Sequence, residues 1–111
     1  MKAIWSVLLL FPSMLAADGW TRAIEDTTII TALAGRTVSY DAYTLQRFGT
    51  DGATQYITER MSEGSWAARG GQYCSVWPPS DVWTCYILEV QGARVRFIAS
   101  DGSVSEGRYV D

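Results

Sequence analysis

Cys74 and Cys85 stand symmetrically about the segment Trp77-Pro78-Pro79-Ser80-Asp81-Val82. If that segment reverses the chain, the two cysteines face each other across antiparallel strands. A non-hydrogen-bonded position there brings Cβ atoms to the separation a disulfide needs. Oxidation requires export from a reducing cytosol, and the amino terminus carries the matching pattern. One Lys precedes the apolar run Ala3 to Phe11, which Pro12 breaks before small residues at Ala16 and Ala17. This is the form of a secretory signal. Residues 1–17 are therefore expected to be a cleavable signal peptide, with the product periplasmic or secreted. The run is shorter than the roughly 20 residues that cross a bilayer, so no membrane anchor is expected after cleavage. Ten residues separate the cysteines, unlike the C-x-x-C of redox catalysts, and the bridge reads as structural.

Residues 18–36 read as an amino-terminal segment with a short helix, and residues 37–111 as a β domain. So small a domain gains little from core burial alone. Closing a loop of about twelve residues adds roughly 3 kcal/mol in the chain-entropy model.

The chain has a formal charge of −3, no His, and Lys only in the signal-like segment. An acidic chain is a poor partner for nucleic acid. The absence of His removes the commonest general base and metal ligand. The carboxylates Asp51, Glu59, Glu63, Asp81 and Asp101 fall mostly on predicted turns, where Asp serves backbone hydrogen bonding. Ser75, Ser103 and Ser105 have no His to activate them. No catalytic residue, metal site or cofactor is assigned, and the protein is not expected to be an enzyme.

Thr27 to Gly35 reads as the helix, with Asp26 or Thr27 as cap, an Ile30/Leu33/Ala34 stripe and Gly35 as the stop. Strand-like runs separated by Gly and Asp then follow to the carboxyl terminus. The fold expected is all-β: an antiparallel meander forming a strongly curved sheet or small barrel of seven or eight strands. Asp51-Gly52 and Asp101-Gly102 read as recurring turn chemistry.

Two-residue turns at Gly70-Gly71 and Gln91-Gly92, with the third turn centred on Pro79-Ser80, fix a register. Arg69 then faces Gln72, Ala67 faces Cys74, Cys74 faces Cys85, Tyr73 faces Tyr86, Tyr86 faces Phe97 and Glu89 faces Arg94. One face collects Trp66, Ala68, Tyr73, Trp77, Val82, Tyr86, Leu88, Val90, Val95, Phe97 and Ala99. The cysteines and the charged residues take the other.

The order Leu33-x-Gly35-Arg36-Thr37, Asp51-Gly52, Gly64-x-Trp66, Tyr73-Cys74-x-x-Trp77, Cys85-Tyr86 and Asp101-Gly102 resembles small exported proteobacterial domains of unknown function. The resemblance implies a secreted or periplasmic β domain with a paired-cysteine hairpin, and it supplies no catalytic residues. Lysozyme-inhibitor barrels are similar in size and disulfide use, but their inhibitory loop motif has no match here.

Two sites follow. Val76, Trp83, Ile87 and Ile98, edged by Arg69, Arg94 and Arg96, form an apolar patch with a basic rim on the disulfide face, as protein contacts often do. The simpler alternative is that the helix, through Ile30 and Leu33, covers this patch. Trp66, Tyr73, Tyr86 and Phe97 are core residues or line a ligand cavity. The function expected is non-catalytic binding of an unknown protein. The alternatives are a carrier of a small apolar ligand in a lipocalin-like barrel, or an inhibitor of an extracytoplasmic enzyme.

Overall fold

The computed structural model describes residues 19–111, and the signal-like segment lies outside them. The first strand is β1 (Thr21–Ala23), followed by the helix α1 (Asp26–Leu33). Eight more strands follow: β2 (Arg36–Asp41), β3 (Thr44–Phe48), β4 (Ala53–Ile57), β5 (Met61–Arg69), β6 (Gln72–Val76), β7 (Thr84–Gln91), β8 (Arg94–Ile98) and β9 (Val104–Tyr109). From β2 to β9 each strand pairs antiparallel with the next, and β9 returns to β2 through Val38 opposite Tyr109 and Ser39 opposite Arg108. The meander is thus a closed eight-stranded barrel. β1 pairs with the last part of β7, on the flank whose first part is taken by β6. That strand was not anticipated, because three residues carry no periodicity.

Cys74 lies opposite Cys85 and forms the expected disulfide, with Cα atoms 4.0 Å apart. Arg69 faces Gln72, Ala67 faces Cys74 and Tyr73 faces Tyr86, also as expected. The β7–β8 register differs from expectation: Leu88, not Tyr86, faces Phe97, and Glu89 faces Arg96 rather than Arg94. The turn here is Gly92-Ala93, with Gly92 at φ +57°. Gly occupies the first central position of a two-residue turn, the place a type II′ turn reserves for it. The displacement is two residues, so the faces survive it.

The helix also differs in which side it buries. Ile29 and Leu33 are fully buried, whereas Ile30 is exposed. Asp26 begins the helix, and its carboxylate accepts a hydrogen bond from Gly71 N of the β5–β6 turn at 2.7 Å. Ile29 and Leu33 therefore join one cluster with Val38, Phe48, Trp66, Tyr73, Leu88, Val95 and Phe97. The helix closes one end of the barrel, and Ile30 covers no patch. Val82, expected in the core, is 66% exposed, because β7 begins only at Thr84 and leaves Val82 in the β6–β7 loop.

The Asp-Gly turns are built alike. Asp51 Oδ1 accepts from Ala53 N at 3.0 Å and Asp101 Oδ1 from Ser103 N at 2.9 Å, with Gly52 and Gly102 both at φ +90°. Outward positions mix the charged Arg47, Glu63, Arg69, Glu89, Arg94, Arg96 and Glu106 with the apolar Leu45, Ile57, Val76, Ile87 and Ile98. Among the described residues no helix is long and apolar enough to cross a membrane.

Closure through β9 and β2 is remote from the hairpin that the disulfide joins. Replacing both cysteines by Ala is therefore expected to lower the unfolding free energy by about 3 kcal/mol while keeping the strand content. Urea unfolding of the oxidised protein and the variant, followed by far-ultraviolet circular dichroism, measures this.

Candidate functional site

Inward-facing residues change character along the barrel axis. Near the helix they are Val38, Phe48, Trp66, Leu88 and Val95, all buried. Toward the other end they become Tyr40, Gln46, Tyr56, Ser62, Ser75, Trp77, Tyr86 and Ser105. These, with Tyr73, Phe97, Pro78 and the edge residue Glu106, line a cavity of about 620 Å³. Its mouth lies between the turns opposite α1. Strand alternation turns the Glu106 side chain outward with Arg96, where its carboxylate accepts from Arg94 Nε at 2.9 Å. Among the described residues no side chain directed into the cavity carries a charge.

The rings form a continuous wall. Tyr73 is central, with centroids 5.0 Å from Phe97, 5.8 Å from Phe48, 5.9 Å from Tyr86 and 6.2 Å from Trp66. Nearer the mouth, Tyr56 lies 6.0 Å from Tyr40 and 6.1 Å from Trp77, to which it is inclined by 80°. Edge-to-face and offset arrangements at these distances suit the ring quadrupoles.

A polar chain holds the wall in place. Tyr40 OH donates to Gln46 Oε1 at 2.7 Å, and Gln46 Nε2 donates to Thr54 Oγ1 at 2.9 Å and to Tyr73 OH at 3.2 Å. Trp77 Nε1 donates to Ser75 Oγ at 3.2 Å. Buried Gln46 and Thr54 are thereby satisfied, as buried polar groups must be. Burial pushes the ionisation of Tyr40 well above the usual phenol range, with neighbouring tyrosines adding to the rise, and burial likewise raises that of Tyr73 against the opposing hydrogen bonds of Ser75 and Gln46. Both stay neutral donors across the physiological range.

Gly64 of β5 makes room for this arrangement. A Cβ there would collide with the Val76 carbonyl oxygen of β6 and lie 2.8 Å from the Trp77 ring, so only Gly lets the β6 backbone and the indole approach β5 this closely.

Of the four aromatics expected to form a core or line a ligand site, Tyr73, Tyr86 and Phe97 border the cavity, while Trp66 lies deeper. Trp66 is held by a hydrogen bond from Nε1 to Gly49 O at 3.0 Å. Sequence reasoning missed Tyr40, Gln46, Tyr56, Ser62 and Ser105. The available signal was polar residues at inward positions of the strand alternation.

The expected interaction patch is only partly assembled. Ile87 and Ile98 are cross-strand partners, and Val76, Trp83, Ile87 and Ile98 are all half-buried. The basic rim is engaged within the molecule. Arg69 stacks on Trp83 at 4.0 Å, and Arg94 and Arg96 lie 5.1 and 4.2 Å from the Trp20 ring. Arg96 Nε also donates to Glu89 at 2.8 Å. More apolar surface lies open at the barrel mouth, at Tyr43, Met61, Val82 and Val104.

Asp51, Glu59, Glu63, Asp81 and Asp101 are exposed, and none borders the cavity. Among the described residues no group of three or more His, Cys, Asp or Glu could hold a metal ion. The site therefore offers π surface and neutral hydrogen-bonding groups within a closed antiparallel barrel. Compared with protein-family models, curated proteins and solved structures, the chain finds no match.

Two consequences are measurable. Tyr40 and Tyr73 hold their protons longer when folded, so stability is constant below the unfolded phenol pKa near 10 and falls as pH rises beyond it. The loss is up to about 1.4 kcal/mol per pH unit for each of the two. Phenolate absorbance from these residues is expected to appear together with loss of circular dichroism during alkaline titration. The variant Gly64→Ala is expected to lose about 1–3 kcal/mol through overpacking and to alter the Trp77 fluorescence, read by thermal unfolding and emission spectra.

Proposed function

We propose that the protein is an exported, non-catalytic binder of a small, ring-bearing or methyl-rich molecule, held in the open end of its barrel. This favours the carrier reading over a contact through the disulfide face. Export, to the periplasm or beyond, is supported by the amino-terminal pattern together with the disulfide. The single observation that carries the binding reading is the cavity. Ligand sites typically occupy about 300–1,000 Å³, lined mostly by apolar and aromatic groups with a few fixed polar ones, and 620 Å³ falls within that range. An eight-stranded barrel either fills its interior or leaves space for one small ligand. Here the helix end is filled and the other end is not.

The hydrogen-bond chain from Tyr40 through Gln46 to Tyr73 sets the rings before any ligand arrives. Preorganisation of this kind lowers the ordering cost of binding. Anionic ligands are disfavoured, since no basic side chain points inward to compensate a buried negative charge.

The test uses N-phenyl-1-naphthylamine, a neutral aromatic dye that brightens in apolar surroundings. The native protein is expected to enhance its emission saturably and to show a raised unfolding midpoint in its presence, as for any ligand bound only by the folded state. Ser105→Trp, which places a ring inside the cavity, should abolish both effects while the protein still unfolds cooperatively. Binding unaffected by Ser105→Trp, or no binding at all, overturns the proposal.

A further inference from the structure

We infer that the cavity selects organic cations, specifically alkylated ammonium groups carried on an apolar or aromatic skeleton. The inference rests on the small-molecule reading above and names its ligand class. Three independent features converge on it.

The first is the mouth. Its turns and strand ends carry Asp41, Glu59, Asp81 and Asp101, with Arg60 as the one basic residue. Hydrogen bonds from Ser103 hold the Asp101 carboxyl below its usual range, so this charge persists into mild acid. A low-dielectric opening ringed by one sign of charge concentrates ions of the other sign.

The second is the use of ring faces. Among the described residues, guanidinium groups stack on Tyr109, Trp83 and Trp20, all outside the cavity. The rings at the mouth have no such cation. Tyr56 has its ring centroid 6.0 Å from that of Tyr40 and 6.1 Å from that of Trp77, to which it is inclined by 80°. A cation within roughly 6 Å of a ring centroid is attracted by the quadrupole, and a corner of two rings offers two faces to one charge.

The third is the state of the polar groups. Both the amide oxygen and the amide nitrogen of Gln46 are engaged by protein partners, as are the Tyr73 hydroxyl and Ser75. A primary ammonium or a guanidinium entering here would exchange water for neutral hydroxyls alone, with no inward carboxylate to pair its N–H groups, at a high desolvation cost. A peralkylated nitrogen has no N–H to satisfy, and its methyl groups pack on rings.

Three phenyl compounds of one shape separate charge from size: phenyltrimethylammonium, tert-butylbenzene and benzenesulfonate, each competing with N-phenyl-1-naphthylamine for the full oxidised chain. Phenyltrimethylammonium is expected to displace the dye at about tenfold lower concentration than tert-butylbenzene, the scale of a desolvated cation–π contact, and benzenesulfonate should not compete. Tyr56→Leu and Trp77→Leu, each first shown to unfold at a midpoint near that of the parent, should erase the advantage of the cation while leaving tert-butylbenzene little changed. The paired variant Glu59→Gln/Asp81→Asn should weaken the cation alone, and only at low salt. Equal competition by tert-butylbenzene, stronger competition by benzenesulfonate, or bound dye that none of the three displaces overturns the cation inference and leaves the carrier reading standing. Failure of the dye itself to bind overturns both.

Discussion

Closure of the barrel depends on a short contact between its last and first long strands. β9 meets β2 at two residue pairs, Val38 with Tyr109 and Ser39 with Arg108. The contact is reinforced at its end: Val110 N donates to Thr37 O at 3.0 Å, and the Asp111 carboxylate accepts from Thr37 N at 2.8 Å and from Arg36 Nε at 3.1 Å. Gly107 permits the approach, since a Cβ there would lie 2.5 Å from Val38 Cγ1 and 2.7 Å from Ser39 O. Without this seam the same strands would form an open curved sheet. The inward residues of β2 and β9 would then lose their common interior, and Tyr40 would no longer share a wall with Phe97, whose ring centroid lies 6.2 Å away.

Within the closed barrel, the division between packed core and cavity follows from what each strand places at its two inward levels. β2 offers Val38 and then Tyr40, β3 Phe48 and then Gln46, β5 Trp66 and then Ser62. α1 completes the apolar level through Ile29 and Leu33, which are fully buried, and Tyr109 OH donates to Ala32 O at 2.9 Å beside it. Among the described residues the opposite level has no such plug. The packed core and the cavity thus sit in separate layers of one small interior.

Much of this architecture was legible in the sequence, and the errors have identifiable causes. The β5–β6–β7 register was readable because Gly70 and Gly71 both adopt positive φ and because the cysteines fix the next pair. A single Gly at the following turn left two placements open, and the turn geometry chose the other. Adjacent Ile29 and Ile30 gave the helix two equally apolar faces, and only the position of the barrel decides between them. The cavity was the least visible part. Aromatic residues on one face read equally well as core, and Ser62, Ser75 and Ser105 acquire meaning only once the sheet is known to close around them.

β1 gives the closed ring its one flap. Its three residues pair with β7 on one side, and among the described residues the unpartnered strand edges are short, including Thr21–Ala23, residues 61–64 of β5 beyond the end of β6, and residues 104–107 of β9 beyond the contact with β2. Exposed edges are where foreign strands add and fibrils begin. Because every strand of the ring has a neighbour on both sides over at least part of its length, polymerising neighbours find only short stretches to template upon, an advantage for a small domain proposed to be exported.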